Sequence, residues 1–368
     1  MRIYTDNDYS KAYSWAEAST NLEYPDYLKT ETKRALNSLK SFQGENVFNI
    51  AFITDIHYTM KDLNRLRMKR ILNVYSEIAE KIKIERLVLG GDHICDACKE
   101  YKIDAFIDLK NQFGNIKFYP INGNHDDGTI WDMKLKNEIS LHHLLPEERY
   151  EIFYKDANPD SNNLYYYSDD KPNKVRHIFL DSNDIDYIFD NGKLRYRGQD
   201  MFAFSQNQID WLLNDALKFE EFGWSIMFYL HGIPHENQKE KMEKNMWKNV
   251  TVLYNVLDAY KNAADVDYSF GEGDFKRQII ADFSSYKRGE IIACVSGDTH
   301  KNMECISNSG YACITQQNAF PFYYDPPETE RRDGDKTEVA LAIITVDKNK
   351  RSIYVTRLGK GEDAKLNY

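Results

Sequence analysis

The chain has 368 residues, of which 42% are hydrophobic and 14% aromatic, enough apolar material for one large domain or two small ones. Its 48 Lys and Arg residues against 58 Asp and Glu residues give a net charge of −10 without any basic block, so duplex nucleic acid is not an expected partner. The N-terminus is polar from the start and no apolar run approaches a membrane span, which predicts a cytoplasmic protein without membrane contact.

The five cysteines do not indicate a disulfide scaffold, because an odd number in a chain of this length favours a reducing compartment. Cys95 and Cys98 form a CxxC pair, but no second pair at similar spacing exists, as a zinc ribbon would require. A structural role for these thiols is favoured over a metal or redox role.

The first third of the chain alternates between strand and helix patterns. Residues 1–44 have helix-like apolar spacing with many charges, at Ser10–Ser19 and Tyr27–Phe42, and are interpreted as an N-terminal helical extension. Strands are then predicted at 47–54, 86–91 and 116–121, with helices at 63–84 and 101–113. This alternation predicts an α/β fold, with residues 45–368 as one catalytic domain.

The second half repeats the pattern less regularly. A helix with a serine cap is predicted from Ser205, and a long polar-faced helix at 240–263. The stretch 326–336 is the most loop-like, and the tail 356–368 is expected to form a strand and a turn. Further strands are predicted at 164–168, 175–182, 224–230, 290–297, 339–346 and 352–357.

Five of the predicted strands end in residue types that bind metals. Each motif alone is compatible with an ordinary polar turn, but ligands in open α/β sheets bind at the carboxyl ends of strands, where distant segments meet. Imidazoles, carboxylates and an amide oxygen suit Mn, Fe or Zn. The set therefore predicts a metal centre. Its members are Asp55-Ile56-His57, Gly91-Asp92, Gly123-Asn124-His125-Asp126, His231, and Gly297-Asp298-Thr299-His300.

In this order the motifs resemble the calcineurin-like metallophosphoesterases, whose pattern is DxH, GD, GNHD or GNHE, a single His, and GHxH. The resemblance runs from about Asn49 to His300. It implies a four-layer α/β/β/α sandwich of two mixed sheets flanked by helices. It also implies hydrolysis of a small-molecule or polymeric phosphate ester, with a phosphodiester favoured, by attack of a metal-bridging hydroxide.

Carried over position by position, the resemblance implies two divalent metal ions, with Mn favoured and Fe, Zn or Ni as alternatives. Asp55, His57 and His300 would hold one ion. Asn124, His231 and Asp298 would hold the other, and Asp92 would bridge them.

Asp298 departs from the family pattern, because the chain has GDTH where the family has GHxH. A carboxylate can ligate and favours a harder ion such as Mn. The alternative is that Asp298 only orients another ligand and that the second ion binds weakly. Compensation by His235, four residues beyond His231, is the less favoured possibility.

The motif Gly123–Asp126 also supplies the expected catalytic residues. His125 would face the phosphoryl group, where it stabilises charge or protonates the leaving oxygen. Asp126 would accept a hydrogen bond from His125, fix its tautomer and raise its pKa. The competing hypothesis is a binding or scaffold module that kept the fold and lost catalysis, for which Asp298 is the support. A nuclease is disfavoured by the acidic charge.

Overall fold

The computed structural model describes residues 24–134, 142–232, 246–321 and 331–368. The predicted helix Ser10–Ser19 and His235 lie outside these residues. The helices are α1 (Asp26–Phe42), α2 (Asp62–Ala79), α3 (Lys99–Phe113), α4 (Thr129–Lys134), α5 (Pro146–Arg149), α6 (Gln206–Trp211) and α7 (Val252–Asn262). Turns of π-helix continue α5 at Tyr150–Tyr154 and α6 at Leu212–Ala216. Within the described ranges, no helix is long and apolar enough to cross a membrane.

The strands of the first half are β1 (Val47–Ile53), β2 (Arg86–Leu89), β3 (Tyr119–Pro120), β4 (Tyr166–Asp170), β5 (Val175–Phe179), β6 (Phe189–Asp190) and β7 (Lys193–Leu194). Those of the second half are β8 (Ser225–Tyr229), β9 (Asp265–Phe270), β10 (Arg277–Asp282), β11 (Glu290–Ser296), β12 (Met303–Ile306), β13 (Ala312–Thr315), β14 (Ala340–Asp347), β15 (Ser352–Gly359) and β16 (Ala364–Asn367).

Two six-stranded mixed sheets carry the fold. The first has the order β16-β15-β14-β1-β2-β3, in which β1, β2 and β3 are parallel and the other strands antiparallel. The second has the order β12-β13-β11-β8-β5-β4, with four parallel strands between two antiparallel edges. Two mixed sheets with helices confirm the fold class expected from the sequence.

The second sheet separates two hydrophobic cores. Along β8, Met227 and Tyr229 belong to the core shared with the first sheet, whereas Ile226 and Phe228 belong to the core beneath α6 and α7. Side chains of a strand point alternately to the two faces of its sheet, so one strand serves both cores. The first sheet is covered on its other side by α1, α2 and α3.

Helix α1, expected as part of an extension, packs on the first sheet. Leu28, Ala35, Leu36 and Leu39 are buried in the main core. Arg34 forms an ion pair of 2.8 Å with Asp363 in the tail. The tail itself adds β16 to β15, as the sequence suggested for a terminal strand and turn.

Part of the helix predicted at 240–263 lies outside the described residues, and within 246–263 helix α7 begins at Val252. Just before it, the side chain of Asn249 accepts the backbone N–H of Phe204 and donates to the carbonyls of Phe204 and Phe275. These three contacts tie the chain to neighbouring loops, and an adjacent bridge pairs Phe202 with Trp247. The prediction was wrong for residues 246–251, because tertiary hydrogen bonds outweighed helix periodicity there.

The burial of α1 predicts that Leu39→Ala destabilises the whole protein. Leu39 is fully buried, so its truncation leaves a cavity worth about 2–5 kcal/mol of unfolding free energy. Urea denaturation followed by circular dichroism measures the loss. Lys40→Ala, on the exposed side of the same helix, is the control and is expected to change the value by less than about 0.5 kcal/mol. Equal effects of the two variants would mean that α1 is not part of the cooperative unit.

Candidate metal centre

The turns that follow β1, β2, β3, β8 and β11 meet at one edge of the two sheets. Backbone hydrogen bonds hold neighbouring turns together: the N–H of Asp55 donates to Gly91, and that of His57 to Asp92. On the second sheet, the N–H of Gly297 donates to the carbonyl of His231. The metal-binding residue types named by the sequence therefore lie on a backbone framework that is already tied across strands.

Five of the seven expected ligands have a left-handed backbone. The φ angles are 50° at Asp55, 44° at His57, 51° at Asp92, 69° at Asp298 and 55° at His300. Such angles are uncommon for residues other than glycine and concentrate at functional sites. The DxH motif of the first sheet and the DTH segment of the second thus share the same sharp turn, which aims the first and third side chains inward.

Two glycines allow the turns to approach one another. Gly91 has φ 94°, and a Cβ there would lie 2.5 Å from Nδ1 of His231. A Cβ at Gly123 would lie 1.9 Å from the backbone nitrogen of Asp92. Neither position has room for a side chain, so both glycines are required by close packing around the site.

The first group of potential ligand atoms comes from Asp55, His57 and His300, which lie within 4.8 Å of one another. Nε2 of His57 and Nε2 of His300 are 3.2 Å apart, and Nε2 of His300 is 3.3 Å from Oδ1 of Asp55. This is the set that the sequence assigned to one ion.

The second group comes from Asp55, Asp92 and His231, also within 4.8 Å. Nε2 of His231 lies 3.1 Å from Oδ1 of Asn124, 3.3 Å from Oδ1 of Asp92 and 3.9 Å from Oδ1 of Asp298. A third group joins His57, Asp92 and His125. All seven expected ligands are therefore gathered, and Asp55, His57 and Asp92 each belong to two of the three groups.

Contacts outside the cluster orient these ligand atoms. Nδ1 of His231 donates to the carbonyl of Gly90 at 2.7 Å, which turns Nε2 towards the cluster, where the neutral ring offers its lone pair to a cation. Nδ2 of Asn124 donates to the carbonyl of Gln199 at 2.9 Å, which turns Oδ1 inward. A buried cluster of acceptor atoms is unfavourable unless a cation sits among them, so this donor set fits divalent metal ions.

The electrostatic field of the cluster also favours cations. Burial opposes protonation of His231, yet the carboxylates of Asp92 and Asp55 raise its pKa well above the usual value. Burial, together with the charges of Asp55 and Asp92, raises the pKa of Asp298 to about 6. The negative charge of the cluster thus favours protonation of His231 and of Asp298.

His125 lies at the edge of the cluster, with Nε2 3.8 Å from Oδ2 of Asp92. Its Nδ1 is 2.8 Å from Oδ1 of Asp96. The prediction that Asp126 is this partner was wrong. Asp96 follows Asp92 by four residues in the same loop, and that position was the one available signal in the sequence.

Asp126 instead binds His93 and holds two turns together. Its carboxylate accepts the N–H groups of His93 at 2.8 Å, Ile94 at 3.2 Å and Gly123 at 2.9 Å, and lies 2.8 Å from Nδ1 of His93. Burial opposes ionisation, but His93 and the backbone donors hold the pKa of Asp126 well below its usual value. Asp126 therefore fixes the loop of Asp92 against the loop of Asn124.

The CxxC pair takes no part in the cluster. Burial raises the pKa of the Cys95 thiol to about 11, so it stays protonated at neutral pH. A protonated thiol is a poor nucleophile and a poor metal ligand, which agrees with a structural role.

The family model of calcineurin-like phosphoesterases matches residues 48–302, which is more than half of the chain. The chain belongs to the calcineurin-like phosphoesterase family. Members of this family bind divalent metal ions, and the gathered ligand groups are consistent with that requirement. A comparison with curated proteins finds no match.

Several solved structures are similar to this chain. A dimetal phosphatase from Danio rerio is 13% identical with a TM-score of 0.53, over 87% of this chain and 99% of the other. GAP50, described as the anchor in the inner membrane complex of Plasmodium, is 13% identical with a TM-score of 0.45, over 87% and 89%. A 5'-nucleotidase precursor from Thermus thermophilus is 9% identical with a TM-score of 0.35, over 87% and 54%. At 13% identity, the first likeness supports the fold alone.

The contacts of Asp126 predict that Asp126→Asn weakens metal binding without removing a ligand. The amide NH₂ of the new side chain would face backbone N–H donors, so hydrogen bonds between the loops of Asp92 and Asn124 are lost and the loops separate. We expect the Mn dissociation constant to rise about 10–100-fold in calorimetry. Asp104→Asn, on the exposed face of α3, is the control. An unchanged Mn affinity in Asp126→Asn would remove this positioning role.

Proposed function

We propose that the protein is a metal-dependent phosphoesterase with two divalent ions, and that its catalytic unit spans residues 45–368. Asp55, His57 and His300 would hold one ion, Asn124, His231 and Asp298 would hold the other, and Asp92 would bridge them. The observation that carries the proposal is the convergence of seven acceptor side chains from separate strand ends within a few ångströms.

When bound, such a pair of ions activates a water and neutralises the charge of the phosphoryl oxygens. The protein residues orient the groups around them. Asp96 holds Nδ1 of His125, so Nε2 of His125 is directed towards the cluster. In this position a protonated His125 would donate its proton to the leaving oxygen of the ester as a general acid.

Asp298 adjusts the choice of ion. Its Oδ1 lies 3.9 Å from Nε2 of His231, so the carboxylate stands on the cluster side of its turn. A carboxylate in place of an imidazole makes the second position harder, which favours Mn over softer ions. A phosphodiester of a small molecule or polymer is the proposed substrate class.

Hydrolysis of bis-p-nitrophenyl phosphate tests the activity, with p-nitrophenyl phosphate as the monoester comparison. Mn, Fe, Zn and Ni are added in turn to protein stripped with EDTA. We expect turnover of the diester that depends on metal and is highest with Mn. Metal binding without turnover of either ester would favour the alternative of a binding or scaffold module.

His125→Ala is expected to keep both metals and to lose most turnover. The imidazole is at the edge of the cluster, and a general acid typically contributes about 10²–10⁴-fold to the rate. The rate constant with bis-p-nitrophenyl phosphate and the metal content by mass spectrometry are measured on the same sample. Unchanged turnover would exclude His125 from the mechanism.

Asp92→Asn is expected to empty at least one metal position, because it removes the charge shared by two ligand groups. Metal content by mass spectrometry should fall from two ions towards one or none per chain. Asp210→Asn, an exposed aspartate on α6, is the matched control. Full occupancy in Asp92→Asn would contradict the bridging role.

A further inference from the structure

A short turn from the second half of the chain, Gly198–Asp200, lies against the motif Asn124–Asp127. A Cβ at Gly198 would lie 1.9 Å from Oδ2 of Asp127, so only glycine permits this approach. The carbonyl of Gln199 accepts from Asn124, and its N–H donates to Oγ1 of Thr129 at 3.3 Å. The backbone of Gln199 is thus fixed on both sides.

The side chain of Gln199 lies on the ring of His125. Its Nε2 is 3.2 Å from Nδ1 and 3.1 Å from Nε2 of the imidazole. A nitrogen equally far from both ring nitrogens would overlap the ring carbons if it lay in the ring plane. The carboxamide therefore lies against the face of the ring, a weak contact that involves at most one of its N–H groups.

The other end of this carboxamide is unsatisfied. Among the described residues, Oε1 of Gln199 is buried and has no hydrogen-bond partner. A buried acceptor without a donor costs free energy, and such groups in a native protein call for an explanation. Because no strong hydrogen bond holds the carboxamide, it can turn towards a ligand at little cost.

We propose that Gln199 is a substrate-binding residue that donates an N–H to a phosphoryl oxygen beside His125. This inference rests on the proposed function for the identity of the anion. When the carboxamide of Gln199 turns, Oε1 leaves the place where it has no donor, and the N–H gains the charged phosphoryl oxygen as its acceptor.

The amide suits this position better than a charged group. Asp92 and Asp96 both lie beside His125, at 3.8 Å and 2.8 Å from its ring nitrogens. A lysine or arginine at 199 would pair with these carboxylates, and a carboxylate would repel both them and the phosphoryl group. A neutral donor avoids both outcomes.

The test is calorimetric titration of Mn-loaded protein with inorganic phosphate. Gln199→Ala removes the carboxamide and keeps the backbone carbonyl that holds Asn124. We expect phosphate to bind about 10-fold more weakly, with the Mn dissociation constant unchanged within about 2-fold. Gln199→Glu keeps the shape of the side chain but not its N–H donors, and it should weaken phosphate binding at least as much. Gln206→Ala, at a partly buried glutamine on α6, is the matched control.

Wild-type phosphate affinity in Gln199→Ala and Gln199→Glu would overturn the inference, as would a wild-type protein that does not bind phosphate. The hydrolysis assay separates this failure from that of the function. Turnover of diester with equal rates in wild type and Gln199→Ala would leave the phosphoesterase standing and remove Gln199. Phosphate binding that depends on Gln199, without any turnover, would support Gln199 and count against catalysis.

Discussion

The two sheets are joined at the edge that carries the metal-binding residue types, and the geometry of the site depends on this junction. The N–H of Gln316 donates to Ser296 on the second sheet, while that of Ala319 donates to Thr54 on the first. Four residues of chain therefore bind the end of β11 to the end of β1. Any slip between the sheets would separate His300 from Asp55, because these two ligands belong to different sheets.

The side chain of Asp55 links the junction between the sheets to the cluster of potential metal ligands. Its Oδ2 accepts the hydroxyl of Thr54 at 2.6 Å and the N–H of Asp298 at 3.1 Å, one from each sheet. Its Oδ1 is left to face His300 and His231. One carboxylate thus uses one oxygen to align the sheets and the other to complete the cluster. The arrangement is favourable only with positive charge between the sheets, which a bound divalent ion would supply.

Much of the site could be read from strand ends. Parallel strands of one sheet share a carboxyl edge, so the polar residues that terminate β1, β2 and β3 lie together, and those that terminate β8 and β11 lie together on the second sheet. What could not be read was the choice among neighbouring carboxylates. Asp126 is adjacent to His125, yet it points back to His93, because adjacent residues in a sharp turn diverge. Asp96 reaches His125 from another loop, and no periodicity indicates that contact.

Two further features could not be read from the sequence: the absence of helix just before Val252 in residues 246–251, and the contact of Gln199 with His125. Both depend on loops that belong to different parts of the chain, and loop paths follow from packing and hydrogen bonds that have no local pattern. The sequence by itself determined the α/β class, the strands that end at the site and the residue types gathered there, because hydrophobic periodicity marks the strands and the polar motifs follow them directly; the four-layer arrangement came from the resemblance of those motifs to a known family. Only the tertiary structure decided which side chain pairs with which, since those contacts are set by how two sheets and their loops pack in three dimensions.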